Sequence, residues 1–139
     1  MRRLRTDGSA SLFDQIPHSL SSDNVDFVKI DIEGAELEGL IGMRQSLQEC
    51  KPIILCEVPD HKADIVHHNA RKDELMQLLR NLNYNVLQLI KSADRRHIID
   101  AKKIDKFTSS YWTLENKDLC DYIFIPEGKQ KYVLSALLK

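Results

Sequence analysis

Two acids one residue apart, Asp31 and Glu33, sit in the run Lys29-Ile30-Asp31-Ile32-Glu33-Gly34-Ala35-Glu36, where an apolar segment gives way to a glycine. A second apolar run, Pro52-Ile53-Ile54-Leu55-Cys56, ends in an equivalent acid, Glu57. Carboxylates at such points can take a proton from a hydroxyl, bind a divalent cation, or hydrogen-bond the hydroxyls of a substrate. Residue types and spacing do not rank these three. Strand alternation places Lys29, Asp31 and, if the strand extends that far, Glu33 on one face. An ion pair between Lys29 and Asp31 would then partly compensate a charge sunk in an apolar strand. The plainer alternative is that Glu33 and Glu36 only favour the positive end of the next helix, and that Glu57 opens a solvated loop. Asp31, Glu33 and Glu57 are thus the candidate catalytic residues, with Lys29 and His61 as candidate substrate-binding residues.

His61, His67 and His68 follow Glu57, together with Asp60 and Asp64. The last two histidines are adjacent, a helical i,i+4 pair is missing and no cysteine is close, so the group lacks the spacing of a metal site and none is expected. A metal-dependent enzyme built on Asp31, Glu33, Glu57 and His61 is the weakest reading. Tyr111 and Trp112 could wall an apolar or sugar-binding site, but aromatics in a long connection more often anchor it to the body.

The elements that must position these groups follow from periodicity. Val25 to Ile32 is dense in β-branched and aromatic residues and reads as an interior strand covered on both faces. Gly34 breaks it, and Leu37, Leu40, Ile41 and Leu47 predict a helix over 35–49. Pro52 to Glu57 predicts a second buried strand, punctuated by Pro59 and Asp60. The stretch 61–72 is polar and reads as loop. Leu75, Leu78, Leu79 and Leu82 predict a helix from about Arg71, and Asn83 suits a left-handed helix end. A third strand runs from Tyr84 over YNVLQLIK. Strands alternating with helices in this way predict a mainly parallel α/β sheet with right-handed crossovers, and neighbouring positions for the first two strands. Residues 92–119 read as a long polar excursion. Tyr122 to Ile125 predicts a fourth strand, paired with the third as a hairpin closing the sheet edge, and a short helix ends the chain.

The chain has 139 residues, 42% apolar and 29% charged, with a formal net charge of −1. That suits one globular domain with one core. Nucleic acid is not the expected partner, because the only basic cluster is Met1-Arg2-Arg3-Leu4-Arg5. No apolar run approaches the length of a membrane span and no signal-peptide core is visible, so the expected location is cytoplasmic. Cys50, Cys56 and Cys120 lack paired spacing and are expected to be reduced, with Cys56 buried. No GxGxxG, GxxxxGK[ST] or GxSxG occurs.

VDFVKIDIEGAELEGLIGM, then KPIILCEV, a helix ending in NLNYNVLQL, and later DYIFIPE together resemble the FkbM family of S-adenosylmethionine-dependent methyltransferases. Ala35-Glu36, Leu40, Gly42, Pro52 and Glu57 match the family's order. Asn83-Tyr84 stands where the family tends to have Gly-Tyr, and Ser11-Leu12-Phe13-Asp14 looks like its Thr-Leu-Asp segment with one extra residue. The resemblance runs over about 11–127, with 128–139 a terminal segment. It implies a single partial domain: the C-terminal half of a Rossmann-like class I methyltransferase fold, a mainly parallel sheet with a terminal antiparallel hairpin. The strand at Val25 to Ile32 would be the fourth of the family's seven. The Gly-rich loop and the acid that hold the methionine and ribose parts of S-adenosylmethionine have no counterpart here. The implied activity is methyl transfer to a hydroxyl of a sugar or other small-molecule acceptor, with a missing N-terminal half as a possible partner and no activity for this chain alone. Left without its neighbour, the first strand would be a long apolar edge, a configuration that templates aggregation. The alternative is a non-catalytic α/β remnant that pairs with another chain through that edge.

Overall fold

Residues 25–59, 65–107 and 120–138 are described by the structure, a computed structural model. They form, in chain order, β1 (Phe27–Ile30), α1 (Glu36–Gly42), α2 (Arg44–Cys50), β2 (Ile53–Glu57), α3 (Ile65–Asn81), β3 (Tyr84–Lys91), β4 (Ile98–Lys103), β5 (Asp121–Pro126) and α4 (Gln130–Leu137). The five strands make one sheet in the order β1-β2-β5-β3-β4. Only β1 and β2 pair in parallel, while β2–β5, β5–β3 and β3–β4 are antiparallel. The expected α/β class and the adjacency of β1 and β2 hold. The expected mainly parallel sheet does not: the sheet is mixed.

The reason lies in β5. Its side chains Tyr122, Ile123, Phe124 and Ile125 are all buried, and a strand so apolar on both faces needs an apolar layer above and below it, which the middle of this sheet has. It therefore fills the slot between β2 and β3 and does not close an edge. The hairpin partner of β3 is β4, which lies within the excursion expected over 92–119. IIDAKK escapes a periodicity reading because an edge strand exposes one side and carries lysines. The β3–β4 connection is shaped by Ser92 Oγ on Asp94 (2.5 Å) and by Arg95 at φ 60°.

Two apolar layers flank the sheet. On one side α1, α2 and α3 bury Leu37, Leu40, Leu47, Leu75 and Leu79 against Ile30, Ile54, Cys56, Tyr122 and Phe124. Phe107 closes this layer with its ring edge-on to Tyr122 at 4.9 Å. On the other, Val133 of α4 packs over Leu87, Leu89, Ile123 and Ile125.

The helix expected over 35–49 is two helices. They part at Met43, whose N–H reaches back to both Gly39 and Leu40 carbonyls at 3.2 Å. α1 approaches the turn after β1 closely, since a Cβ on Gly39 would lie 3.0 Å from Ile32 Cδ1. α3 begins at Ile65, six residues before the expected start, so much of the stretch read as polar loop is helical. Asn83 adopts φ 57°, the left-handed helix end its identity suggested. Below the sheet, Lys51 also takes a left-handed conformation and its Nζ donates to the Leu82 carbonyl at 2.6 Å, tying α2 to the end of α3.

β1 corrects one more expectation. It is an edge strand with β2 on one side only, and Phe27 is 55% exposed, so it is not covered on both faces among the described residues. No helix of the described residues is long and apolar enough to cross a membrane.

Candidate functional site

In an open α/β sheet, ligand groups gather where parallel strands end and loops begin. β1 stops at Ile30, and the chain turns at once. Ala35 N–H donates to the Ile32 carbonyl at 3.4 Å, with Glu33 at φ 54° and Gly34 at φ 102° between them. Two successive positive φ values make a tight type I′ turn. Glycine adopts such angles freely, whereas a glutamate in this region is held there by its surroundings. Glu36, in the first turn of α1 and only 5% exposed, accepts the Gly34 N–H on Oε1 at 2.8 Å. Arg71 Nη2, from α3, donates to the Gly34 carbonyl at 3.3 Å and forms an ion pair with Glu38. That guanidinium holds the Glu38 carboxyl below its usual range.

The strand ends form a row. The β1–β2 register pairs Ile30 with Cys56, and one step further places Asp31 beside Glu57. Glu57 in turn stands opposite Asp121 on β5. Neighbours in register share a face, so Glu57 and Asp121 lie on one side of the sheet, and Asp31, one residue past the end of β1, is near enough for its charge to act on Glu57. Cations stand at the two ends of the row. Lys29 Nζ lies 3.6 Å from Asp31 Oδ2, and Lys91 Nζ lies 2.5 Å from Asp121 Oδ2. Glu57, in the middle, has no cation in ion-pair reach among the described residues. Burial, reinforced by the negative charges of Asp121, Asp31 and Glu33, pushes its carboxyl above the usual range, while Lys91 pulls the other way. Cys56 behind it is fully buried, and burial together with Glu36, Glu57 and Asp31 pushes the thiol up, so it stays protonated and unreactive. None of the three cysteines forms a disulfide among the described residues.

The sequence-derived candidates separate as follows. Asp31 and Glu57 come together. Lys29 pairs with Asp31 as expected, but on an exposed strand edge, so the pair compensates no charge buried in an apolar strand. Glu33 is not on the strand face, because β1 has ended before it; it lies in the turn and acts on Glu57 through space. His61, Tyr111 and Trp112 lie outside the described residues. His67 is exposed on α3. No group of three or more His, Cys, Asp or Glu side chains is placed to hold a metal ion among the described residues. Sequence reasoning missed Asp121 and Lys91, whose positions depend on β5 entering the middle of the sheet. It also missed Arg71, whose partner Gly34 is 37 residues away. A small cleft opens beside the turn, bordered by Gly34, Glu36, Val58, Arg71 and Lys72.

A search of the curated proteins and a search of the solved structures each returned no match. The family model for the methyltransferase FkbM domain matches residues 13–86, more than half of the chain. That span lies inside the 11–127 expected from the resemblance and carries β1, the turn, Glu57 and the start of β3. The chain belongs to the FkbM methyltransferase domain family.

Proposed function

We propose that these residues form the acceptor side of an S-adenosylmethionine-dependent O-methyltransferase acting on a hydroxyl of a sugar or other small molecule. The observation that carries the reading is Glu57: a carboxylate at a strand end, between two other acids, with its proton affinity raised. A base of raised proton affinity is better matched to removing a hydroxyl proton near neutral pH. Glu57 takes the proton of the acceptor hydroxyl as its oxygen bonds to the methyl carbon. Asp31, one strand over, hydrogen-bonds and orients that hydroxyl. When bound, the cofactor supplies the electrophilic methyl group and leaves as the thioether. In-line placement of the acceptor oxygen is the larger part of the acceleration. The described residues suit the acceptor end and not the whole cofactor: they include no Gly-rich loop of the kind the family uses for its methionine part.

The test is transfer of labelled methyl from S-adenosylmethionine to hydroxylated acceptors by the complete protein, with and without Asp31→Asn. Losing one charge-assisted hydrogen bond to the acceptor is expected to lower turnover about 10- to 100-fold with little change in melting temperature. An unchanged rate removes Asp31 from the reaction.

A second reading is favoured by the β1 edge. Ile53 N–H donates to the Asp26 carbonyl, so the alternate residues Phe27 and Lys29 turn their backbone groups away from β2 toward the open side. With Phe27 exposed there, the edge can accept a strand from another chain. Light scattering after size-exclusion chromatography is expected to show association under this reading. A monomer at all concentrations, with no partner retained, counts against it.

A further inference from the structure

Gly34 is held through both of its backbone groups: its N–H, in the peptide from Glu33, donates to the buried Glu36 carboxylate at 2.8 Å, and its carbonyl, in the peptide to Ala35, accepts from Arg71 at 3.3 Å. The same guanidinium is anchored by Glu38. Glu36 from α1 and Arg71 from α3 thus meet on one residue of a turn whose preceding residue, Glu33, is in a conformation unfavourable to a side chain. Released from that grip, Glu33 would relax toward an ordinary backbone conformation, and Asp31 two residues before it would swing with the turn.

We propose that Glu36 and Arg71 are positioning residues: by holding the two successive peptides that meet at Gly34 they fix the turn that keeps Asp31 and Glu33 near Glu57, and so set how these acids meet the acceptor hydroxyl. The inference rests on the acceptor-side reading above. It differs from simple capping of α1, because a cap would stabilise the helix without governing the environment of Glu57 on the next strand.

The charges that face Glu57 are Asp121 from β5, Asp31 and Glu33 from the β1 end, and Lys91 from β3. Its titration therefore reports where Asp31 and Glu33 sit. The experiment follows the Glu57 side-chain carboxyl carbon and the Gly34 amide by nuclear magnetic resonance in the full chain as a function of pH. In Glu36→Ala, the Gly34 amide is expected to exchange with solvent about tenfold faster or more, and the Glu57 midpoint to move down toward the usual glutamate range. Arg71→Met, which frees the next peptide along, is expected to move the Glu57 midpoint the same way. Glu36→Gln keeps an acceptor for the Gly34 N–H and is expected to leave both readouts near those of the native chain.

A Glu57 midpoint that stays put in folded Glu36→Ala and Arg71→Met overturns the inference. So does a midpoint that falls as far in Glu36→Gln as in Glu36→Ala, which would make the effect one of charge alone. Should Glu36→Ala fail to fold, Arg71→Met decides the question, since its contacts lie toward the surface. Neither measurement needs a methyl donor or an acceptor. Failure of methyl transfer by the complete protein would sink the acceptor-side reading and leave the coupling standing, whereas an unmoved Glu57 would do the reverse.

Discussion

Replacing Phe124 by alanine is expected to cost about 3–5 kcal/mol of folding stability, a large part of the roughly 5–15 kcal/mol that holds a domain of this size together. Phe124 is fully buried at the centre of β5, opposite Ile54 of β2 on one side and Val86 of β3 on the other. Its ring also meets Phe107 edge-on at 6.3 Å. Truncation removes the transfer free energy of the ring and leaves a cavity that strands on both sides keep from collapsing. The consequence reaches the site, because in the sheet β5 lies between the β1–β2 pair, which leads to Asp31 and carries Glu57, and the β3–β4 pair carrying Lys91. Urea unfolding followed by circular dichroism should show a lower midpoint with an unchanged slope. Tyr132→Ala is the control: Tyr132 is 77% exposed on α4, and its loss should stay within about 0.5 kcal/mol.

The same strand explains what could and could not be read from the sequence. β2, β3 and the left-handed Asn83 between α3 and β3 are local facts: a Pro-led apolar run, an eight-residue apolar-rich run, and a residue type that tolerates positive φ. Each announces itself within a short window. The slot that β5 occupies is not local. Nothing within Asp121–Pro126 says which two strands it separates; only its pairing with β2 and β3 in the folded chain does. β4 was hidden for the opposite reason, since an exposed edge strand with aspartate and two lysines has the composition of a loop. The candidate site divides along the same line. Asp31 and Glu57 were visible as acids ending apolar runs. Asp121, Lys91 and Arg71 reach the site through strand pairing and through a contact across 37 residues, for which a single sequence carries no signal. The break between α1 and α2 lies between: glycines at 39 and 42 lower helix propensity, but only packing against Ile32 and the return of the chain to β2 select Met43 as the point of separation.

Glu57→Gln is expected to raise stability at neutral pH while removing most of the activity of the complete protein. The carboxyl of Glu57 binds its proton more tightly in the folded chain than in the unfolded one, because burial and the charges of Asp121, Asp31 and Glu33 all oppose ionisation. Its favourable contribution to folding is therefore fully present below the ordinary glutamate value, about 4.3, and is lost as pH rises through the raised folded value. Glutamine fills nearly the same space and cannot ionise. At pH 7 to 8 the variant escapes the penalty and should melt at a higher temperature than the native chain. Below about pH 4 both side chains are neutral and the difference should vanish. Thermal melts of the two proteins across this range test the sign directly, and a native chain that is the more stable at pH 8 would show that Lys91 outweighs the acids around Glu57. If Glu57 removes the acceptor proton, the same substitution should lower turnover by about 10²- to 10⁴-fold, the usual contribution of a general base, with the Michaelis constant changed far less. A residue whose neutralisation strengthens the fold is retained against the interest of stability, and such residues concentrate where chemistry is done. A variant both more stable and equally active would break that link and move the base to another of the strand-end acids, with Asp31 first in line by its place next to Glu57 in the sheet.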